Sequence, residues 1–137
     1  MKPTIRKYMT ANPHTIGREQ SLAVAHRIMR EHRVRHLPVL EGGKLVGVLS
    51  QRDLHLIETL RDVDPATTTV DEAMTMDVYV LSPNTPLDEA ARTMAENKYG
   101  SAIVVDRGKI VGIFTTVDAM FALAHLLEEA PRALTAV

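Results

Sequence analysis

The sequence predicts an α+β fold made of two copies of one small unit related by a pseudo-twofold axis. Three observations predict it. Set against itself at an offset of 65, the 137-residue chain comes into register without a gap, and residues 5–57 share 13 identities with residues 70–122. A period of that length marks a repeat architecture. Within each copy the apolar residues switch between helical and strand spacing. The composition, 45% hydrophobic with no Trp and only two Phe, supplies a core of Leu, Ile, Val, Met and Ala. That suffices for one compact body, in which two copies too small to bury their own faces cover each other.

Each copy reads as a helical turn, a strand, a helix, a strand, a hairpin, a strand and a helix. The leading segments carry Met9-Thr10 and Met74-Thr75, and methionines that recur at 9/74 and 29/94 mark core positions. The first long helix follows Leu22, Ala25, Ile28 and Met29 in one copy and Leu87, Ala90, Ala91 and Met94 in the other. In the second copy Thr85 is expected to cap it, with Pro86 at the first helical position. LPVL (37–40) and AIVVD (102–106) are short buried strands. EGGK (41–44) and DRGK (106–109) turn the chain, and LVGVLS (45–50) and IVGIFT (110–115) return it. Both returning strands run into a helix, expected over Leu54–Leu60, with His55 near its start, and over Ala119–Leu127. The resulting organisation is a first repeat at 1–62, a linker at 63–69 within the polar stretch 61–69, a second repeat at 70–129 and a loose tail at 130–137.

Composition and charge exclude several classes. Without cysteine there are no disulfides, thiolate metal sites or Cys nucleophiles, and a reducing compartment suits the chain. The start lacks the basic-then-apolar profile of a signal peptide, and no apolar run approaches the length of a membrane span. A cytoplasmic, soluble protein without a membrane partner is expected. A net charge of −1 argues against a nucleic-acid partner. Residues 1–65 carry 11 Lys/Arg against 7 Asp/Glu, residues 66–137 carry 5 against 10, and five of the six histidines lie in the first half. Any bound anion should therefore lean on the first half. There His32, Arg33, Arg35 and His36 run straight into Leu37-Pro38-Val39-Leu40. His32 and Arg33 close a helix, where cations suit the dipole; Arg35 and His36 remain for an anion.

The chemistry-bearing pattern is SQRD (Ser50 to Asp53) in one copy and TTVD (Thr115 to Asp118) in the other, each where a strand meets a helix. Two readings compete. Ser/Thr-x-x-Asp is a capping box, which satisfies the first N–H groups of a helix internally. It also places a carboxylate, able to accept two hydrogen bonds from the vicinal hydroxyls of a ribose, beside a helix N-terminus that favours phosphate. The Gly-Lys pairs at 43–44 and 108–109 are not phosphate loops, because they open onto strands instead of a helix N-terminus. His32 and His36 have metal-like spacing, but Pro38 ends any helix nearby and no carboxylate ligand accompanies them, so no metal is expected. No Gly-flanked serine or general base stands in an evident cleft, so catalysis is not expected.

Two gapless copies of Met-Thr … Leu-x-x-Ala-x-x-x-Met … Val … Gly-Lys-h-Val-Gly-h-h-Ser/Thr-x-x-Asp resemble a tandem pair of cystathionine β-synthase (CBS) domains, over roughly residues 3–60 and 68–126. The resemblance implies two βαββα repeats paired into a Bateman module, with adenosine-containing ligands in clefts between the copies and a disc-like homodimer. It gives Asp53 and Asp118 to ribose, and Ser50, Thr115, Arg35 and His36 to phosphate, with Arg52 pointing the same way. Adenine would meet Thr15, Ile16, Val34 and Leu37 in one copy, and Val80, Leu81, Tyr99, Ser101 and Ala102 in the other; no aromatic pair stands out as a base clamp. The second copy departs from the pattern, with Gly100-Ser101-Ala102-Ile103 where the first has Arg35-His36-Leu37-Pro38 and Val117 in place of Arg52. Its ribose contact survives while its local positive charge is gone.

The expected ligand is AMP, ADP, ATP or another adenosine derivative, with Mg2+ accompanying ATP and no cofactor required. The helices at 54–60 and 119–127, apolar on more than one face, are expected either as the dimer face or buried within the monomer. Three functions stand side by side: a sensor that passes a shape change to a regulated protein, a dimerising scaffold with vestigial clefts, and, weakest, an enzyme.

Overall fold

A computed structural model describes residues 2–129; the tail expected at 130–137 lies outside them. In chain order the elements are helix α1 (Ile5–Tyr8), strands β1 (Thr10–Ala11) and β2 (Ile16–Gly17), helix α2 (Leu22–His32), strands β3 (His36–Glu41) and β4 (Lys44–Ser50), and helix α3 (Gln51–Arg61). A 3₁₀ turn at Val70–Glu72 follows. Then come β5 (Val80–Leu81), α4 (Leu87–Asn97), β6 (Ser101–Asp106), β7 (Lys109–Thr115) and α5 (Thr116–Glu128). The expected order of elements holds in the second repeat; the first adds a short strand, β1, between its helical turn and β2. The strand-to-helix junctions are tighter than expected: α3 starts at Gln51 and α5 at Thr116, each directly after its strand.

The chain divides into two compact units, each with its own core, where composition suggested one. The first comprises Pro13–Val78; the second joins the residues up to Asn12 to those from Tyr79 onward. In the first, β2 lies parallel to β3, and β3 antiparallel to β4. In the second the sheet order is β1-β7-β6-β5, with β5 and β6 parallel and the other pairs antiparallel. Ile16, Leu22, Ala25, Met29, Leu37, Val39 and Leu49 fill the first core; their partners at the repeat offset, Leu81, Leu87, Ala90, Met94, Ala102, Val104 and Phe114, fill the second.

One pair of core residues breaks that order. Ile5 belongs to the second core and Val70 to the first, so each repeat lends its leading segment to the other repeat's unit. The backbone shows the same exchange. Ile5 N–H donates to the Thr85 carbonyl at 2.9 Å, as Val70 N–H does to Gln20 at 2.8 Å. Leu87 N–H donates to the Pro3 carbonyl at 2.9 Å, as Leu22 N–H does to Thr68 at 2.9 Å. These last bonds satisfy the first orphan donors of α4 and α2. They also correct the expected cap of α4. Pro86 is the cap residue and Leu87 the first helical one, while the Thr85 hydroxyl accepts from Ser82 N–H at 3.2 Å. In α2 a side chain helps, Ser21 Oγ accepting from Val24 N–H.

The stretch expected as a polar linker is likewise partly structural: α3 runs to Arg61, Thr68 is buried, and its carbonyl caps α2. Arg18 ties the segment after it down, donating to Asp71 and Glu41. The Thr69 hydroxyl, with the Arg18 guanidinium beside it, holds the Asp71 carboxyl below the usual carboxylate range.

Helix ends and hairpins follow the expected chemistry. Arg33 and Lys98 close α2 and α4 in the left-handed region, at φ 54° and 58°. Gly42-Gly43 and Arg107-Gly108 all have positive φ, as a two-residue primed turn requires.

Candidate functional site

In each unit a returning strand passes into a helix without a spacer, and a reciprocal cap forms at the junction. Ser50 Oγ accepts from Asp53 N–H at 3.0 Å, and Asp53 Oδ2 accepts from Ser50 N–H at 2.9 Å. In the other unit Thr115 Oγ1 accepts from Asp118 N–H at 3.3 Å, and Asp118 Oδ2 accepts from Thr115 N–H at 2.9 Å and from the Thr115 hydroxyl at 3.2 Å. The capping role is thus real at both sites. It does not use up the carboxylates: Asp53 and Asp118 are only half-buried, and an ionised carboxylate has about four acceptor positions.

The segment before the hairpin is bonded to the same junction. Gln51 N–H donates to the Arg35 carbonyl at 2.8 Å, and Thr116 N–H to the Gly100 carbonyl at 3.2 Å. His36 stands opposite Ser50 in the β3–β4 ladder, and Ser101 opposite Thr115 in β6–β7. In the first unit, therefore, Arg35, His36, Ser50, Arg52 and Asp53 come together, with both Arg side chains exposed. In the second the corresponding positions are Gly100, Ser101, Thr115, Val117 and Asp118. At these matching positions the first unit has Arg35, His36 and Arg52, and the second has Gly100, Ser101 and Val117.

The base-binding candidates divide. Ile16, Leu37, Leu81 and Ala102 are core residues, 7% exposed or less, so only their backbone is available to a ligand. Thr15, Val34, Tyr99 and Ser101 are half-buried and Val80 is exposed. Two aromatic rings do pair: Tyr79 and Tyr99 stack on each other with centroids 5.5 Å apart. They flank β5 and the start of β6, at the end of the sheet that holds Thr115. Twenty positions of sequence separated them, with no periodicity to connect them. His32 likewise has a ring partner other than His36, stacking on His14 at 3.6 Å.

A threonine hydroxyl also reaches each carboxylate. Thr10 Oγ1 donates to Asp118 Oδ1 at 3.1 Å, and Thr75 Oγ1 to Asp53 Oδ1 at 3.5 Å. These are the threonines of the recurring Met-Thr pairs, brought to the carboxylates by the exchanged segments. The strand glycines permit it. A Cβ on Gly47 would lie 2.9 Å from the Thr75 carbonyl oxygen and 2.8 Å from Met74 Sδ; one on Gly112 would lie 3.1 Å from the Thr10 oxygen and 2.5 Å from Met9 Sδ. Met9 and Met74, expected as core, are partly buried lids over those glycines, whereas Met29 and Met94 are buried outright.

No helix among the described residues is long and apolar enough to cross a membrane. A family model described as CBS domain matches residues 5–56 and 69–125. CBS domain-containing protein YhcV of Bacillus subtilis is 31% identical over 115 residues, spanning 84% of this chain and 81% of that protein. The CBS domain pair of protein MJ0100, solved in complex with 5′-methylthioadenosine and S-adenosyl-L-methionine, is similar at a TM-score of 0.83 and 25% identity, with 91% of this chain and 98% of that one covered. CBSX2, solved with AMP, is similar at a TM-score of 0.77 and 30% identity, with 90% and 97% covered.

Proposed function

This chain belongs to the CBS domain family as a tandem pair of domains, and from that premise we propose that it is a regulatory sensor of an adenosine-containing ligand. Asp53 and Asp118 take ribose hydroxyls, and Ser50 and Thr115 stand at the phosphate end beside the first N–H groups of α3 and α5. The observation that carries the reading is the pairing, at both junctions, of a half-exposed carboxylate with a helix N-terminus, a combination suited to a diol and an anion together. That two related pairs were solved with adenosine compounds supports the ligand class.

Charge sets the order of preference. Arg35, His36 and Arg52 favour di- and triphosphates at the Asp53 junction, Arg by bidentate contacts, with Mg2+ accompanying ATP. The Asp118 junction, lacking them, takes less charged compounds. The protein carries out no catalysis of its own, works in the cytoplasm and hands its change of state to a regulated protein.

Calorimetric titration with AMP, ADP, ATP and S-adenosylmethionine tests this, beside Asp53→Ala and Asp118→Ala. Micromolar binding is expected, with one site lost in each variant and ATP affinity at the Asp53 junction falling as salt rises. A cap is worth only ~1 kcal/mol, so both variants should stay folded. Folded protein that binds none of the four would refute the sensor.

A second reading, a dimerising scaffold, draws on the exposed apolar side chains of the two C-terminal helices. On α3 Leu56 and Leu60 are 57% and 73% exposed, and on α5 Met120 and Phe121 are 63% and 71% exposed. A groove of about 340 Å³ beside α5 is lined by Leu87, Ala91, Ala119, Leu123 and Leu126. Its counterpart on the first unit carries His26 bonded to Glu58 at 2.6 Å instead of Ala91 and Leu123. A second copy of the chain suits such faces. Light scattering at micromolar concentration should show a dimer, and Phe121→Glu a monomer. A wild-type monomer would dispose of the dimer.

A further inference from the structure

The reading of Asp53 and Asp118 as ribose acceptors leaves open what aims them, and on that reading rests the following. We infer that Thr75 and Thr10, each supplied by the opposite repeat, are positioning residues that set the carboxylates for a vicinal diol, so that each site is built from both repeats of the sequence.

The acceptor positions make the case. Asp53 Oδ2 takes Ser50 N–H and Oδ1 takes the Thr75 hydroxyl. With roughly two lone-pair positions per oxygen, one remains on each, the number and spacing that two neighbouring hydroxyls need. Bonds to both oxygens also fix the plane of the carboxylate, which one bond would leave free to rotate. Asp118 is held the same way, Oδ2 by Thr115 N–H and Oδ1 by the Thr10 hydroxyl, but Oδ2 receives the Thr115 hydroxyl as well. That hydroxyl is a rotor, and it must turn away before Oδ2 can accept a second ribose O–H. Thr75 is not loosely placed: its N–H and C=O both bond Val48, at 2.9 Å each.

The arrangement is reciprocal. If the threonine's hydrogen bond favours the ligand, the ligand must favour the docked segment by the same factor. Occupancy of Asp53 therefore holds residues 69–78 down, and occupancy of Asp118 holds the segment around Thr10.

The test uses full-length protein and AMP as the probe. Thr10→Val, near in shape and suited to a strand but without the hydroxyl, is read in an Asp53→Ala background so that only the Asp118 site reports. Thr75→Val is read in Asp118→Ala. Affinity should fall about tenfold for Thr10→Val and about threefold for Thr75→Val, where the bond is longer. Thr→Ser at each position, weaker as a strand residue but keeping the hydroxyl, should stay within about twofold of the parent. A merely structural role would give the opposite ranking of Val and Ser. AMP should also slow exchange of the Thr75 amide in Thr10→Val protein. Parents that bind AMP with Val variants unchanged would overturn the positioning role and leave the sensor standing; wild-type protein that binds no adenosine compound would overturn both.

Discussion

Gly47→Val lowers stability by about 2–3 kcal/mol and, on the sensor reading, weakens binding at Asp53 although it touches neither ligand nor carboxylate. The cost is one of overpacking. The position a Cβ would take is 2.9 Å from the Thr75 carbonyl oxygen and 2.8 Å from Met74 Sδ. The thioether can swing aside, since Met is flexible. The carbonyl cannot, because it is bonded to Val48 N–H at 2.9 Å. The whole Thr75 segment must lift, and with it the hydroxyl on Asp53. Gly112→Val should cost less, its carbonyl neighbour lying at 3.1 Å and the worse clash being with the mobile Met9 sulfur. Thermal unfolding of the two variants side by side decides the matter. Equal or negligible losses would mean that the segments rest on the strands without packing into them.

Phe114→Ala should be more damaging still, at about 3–5 kcal/mol. Phe114 heads the fully buried side chains by size and is 0% exposed, in the core shared by Ile5, Leu87, Met94 and Val104. Removing its ring leaves a cavity that neither β6 nor α4 can close without disturbing the ladder. A domain's total stability is about 5–15 kcal/mol, so this variant approaches the limit of folding. Phe114→Leu installs the residue found at the matching place in the other core, Leu49, and should cost only about 1 kcal/mol. Chemical denaturation of the pair checks both values, and a Phe114→Ala variant as stable as wild type would contradict the core described above.

Much of this was legible in the residues. Gly-Lys turns between apolar runs, helical spacing at Leu22, Ala25 and Met29, and the Ser/Thr-x-x-Asp junctions each carry a local signal, and each appears in the structure where it was expected. The caps of α3 and α5 were legible too, as one of two readings. The exchange of leading segments was not, for a physical reason. It is made by backbone carbonyls, at Pro3, Thr68, Gln20 and Thr85, and a carbonyl leaves no mark on residue identity. The nearest thing to a mark was a glycine kept in mid-strand at 47 and 112 between β-branched residues, which signals close backbone approach, and the Met-Thr pairs kept with it. Side chains that pair across long stretches, Tyr79 with Tyr99 and His14 with His32, were invisible for another reason: no period connects them. The base candidates show the converse. Ile16, Leu37, Leu81 and Ala102 were read correctly as strand residues, and they are buried, but apolar identity does not by itself distinguish a core position from a ligand wall.

The exchange also orders events during synthesis. The unit Pro13–Val78 is continuous and can close as soon as its last residue leaves the ribosome. The other joins segments far apart in sequence: Thr10 and Asp118 lie 108 residues apart. At about 5–20 residues per second, the first dozen residues wait on the order of 5–20 s before their sheet exists. In the later part of that interval, once residue 78 has emerged, the first unit has all of its residues while Ile5 and Met9 still lack the partners of their core.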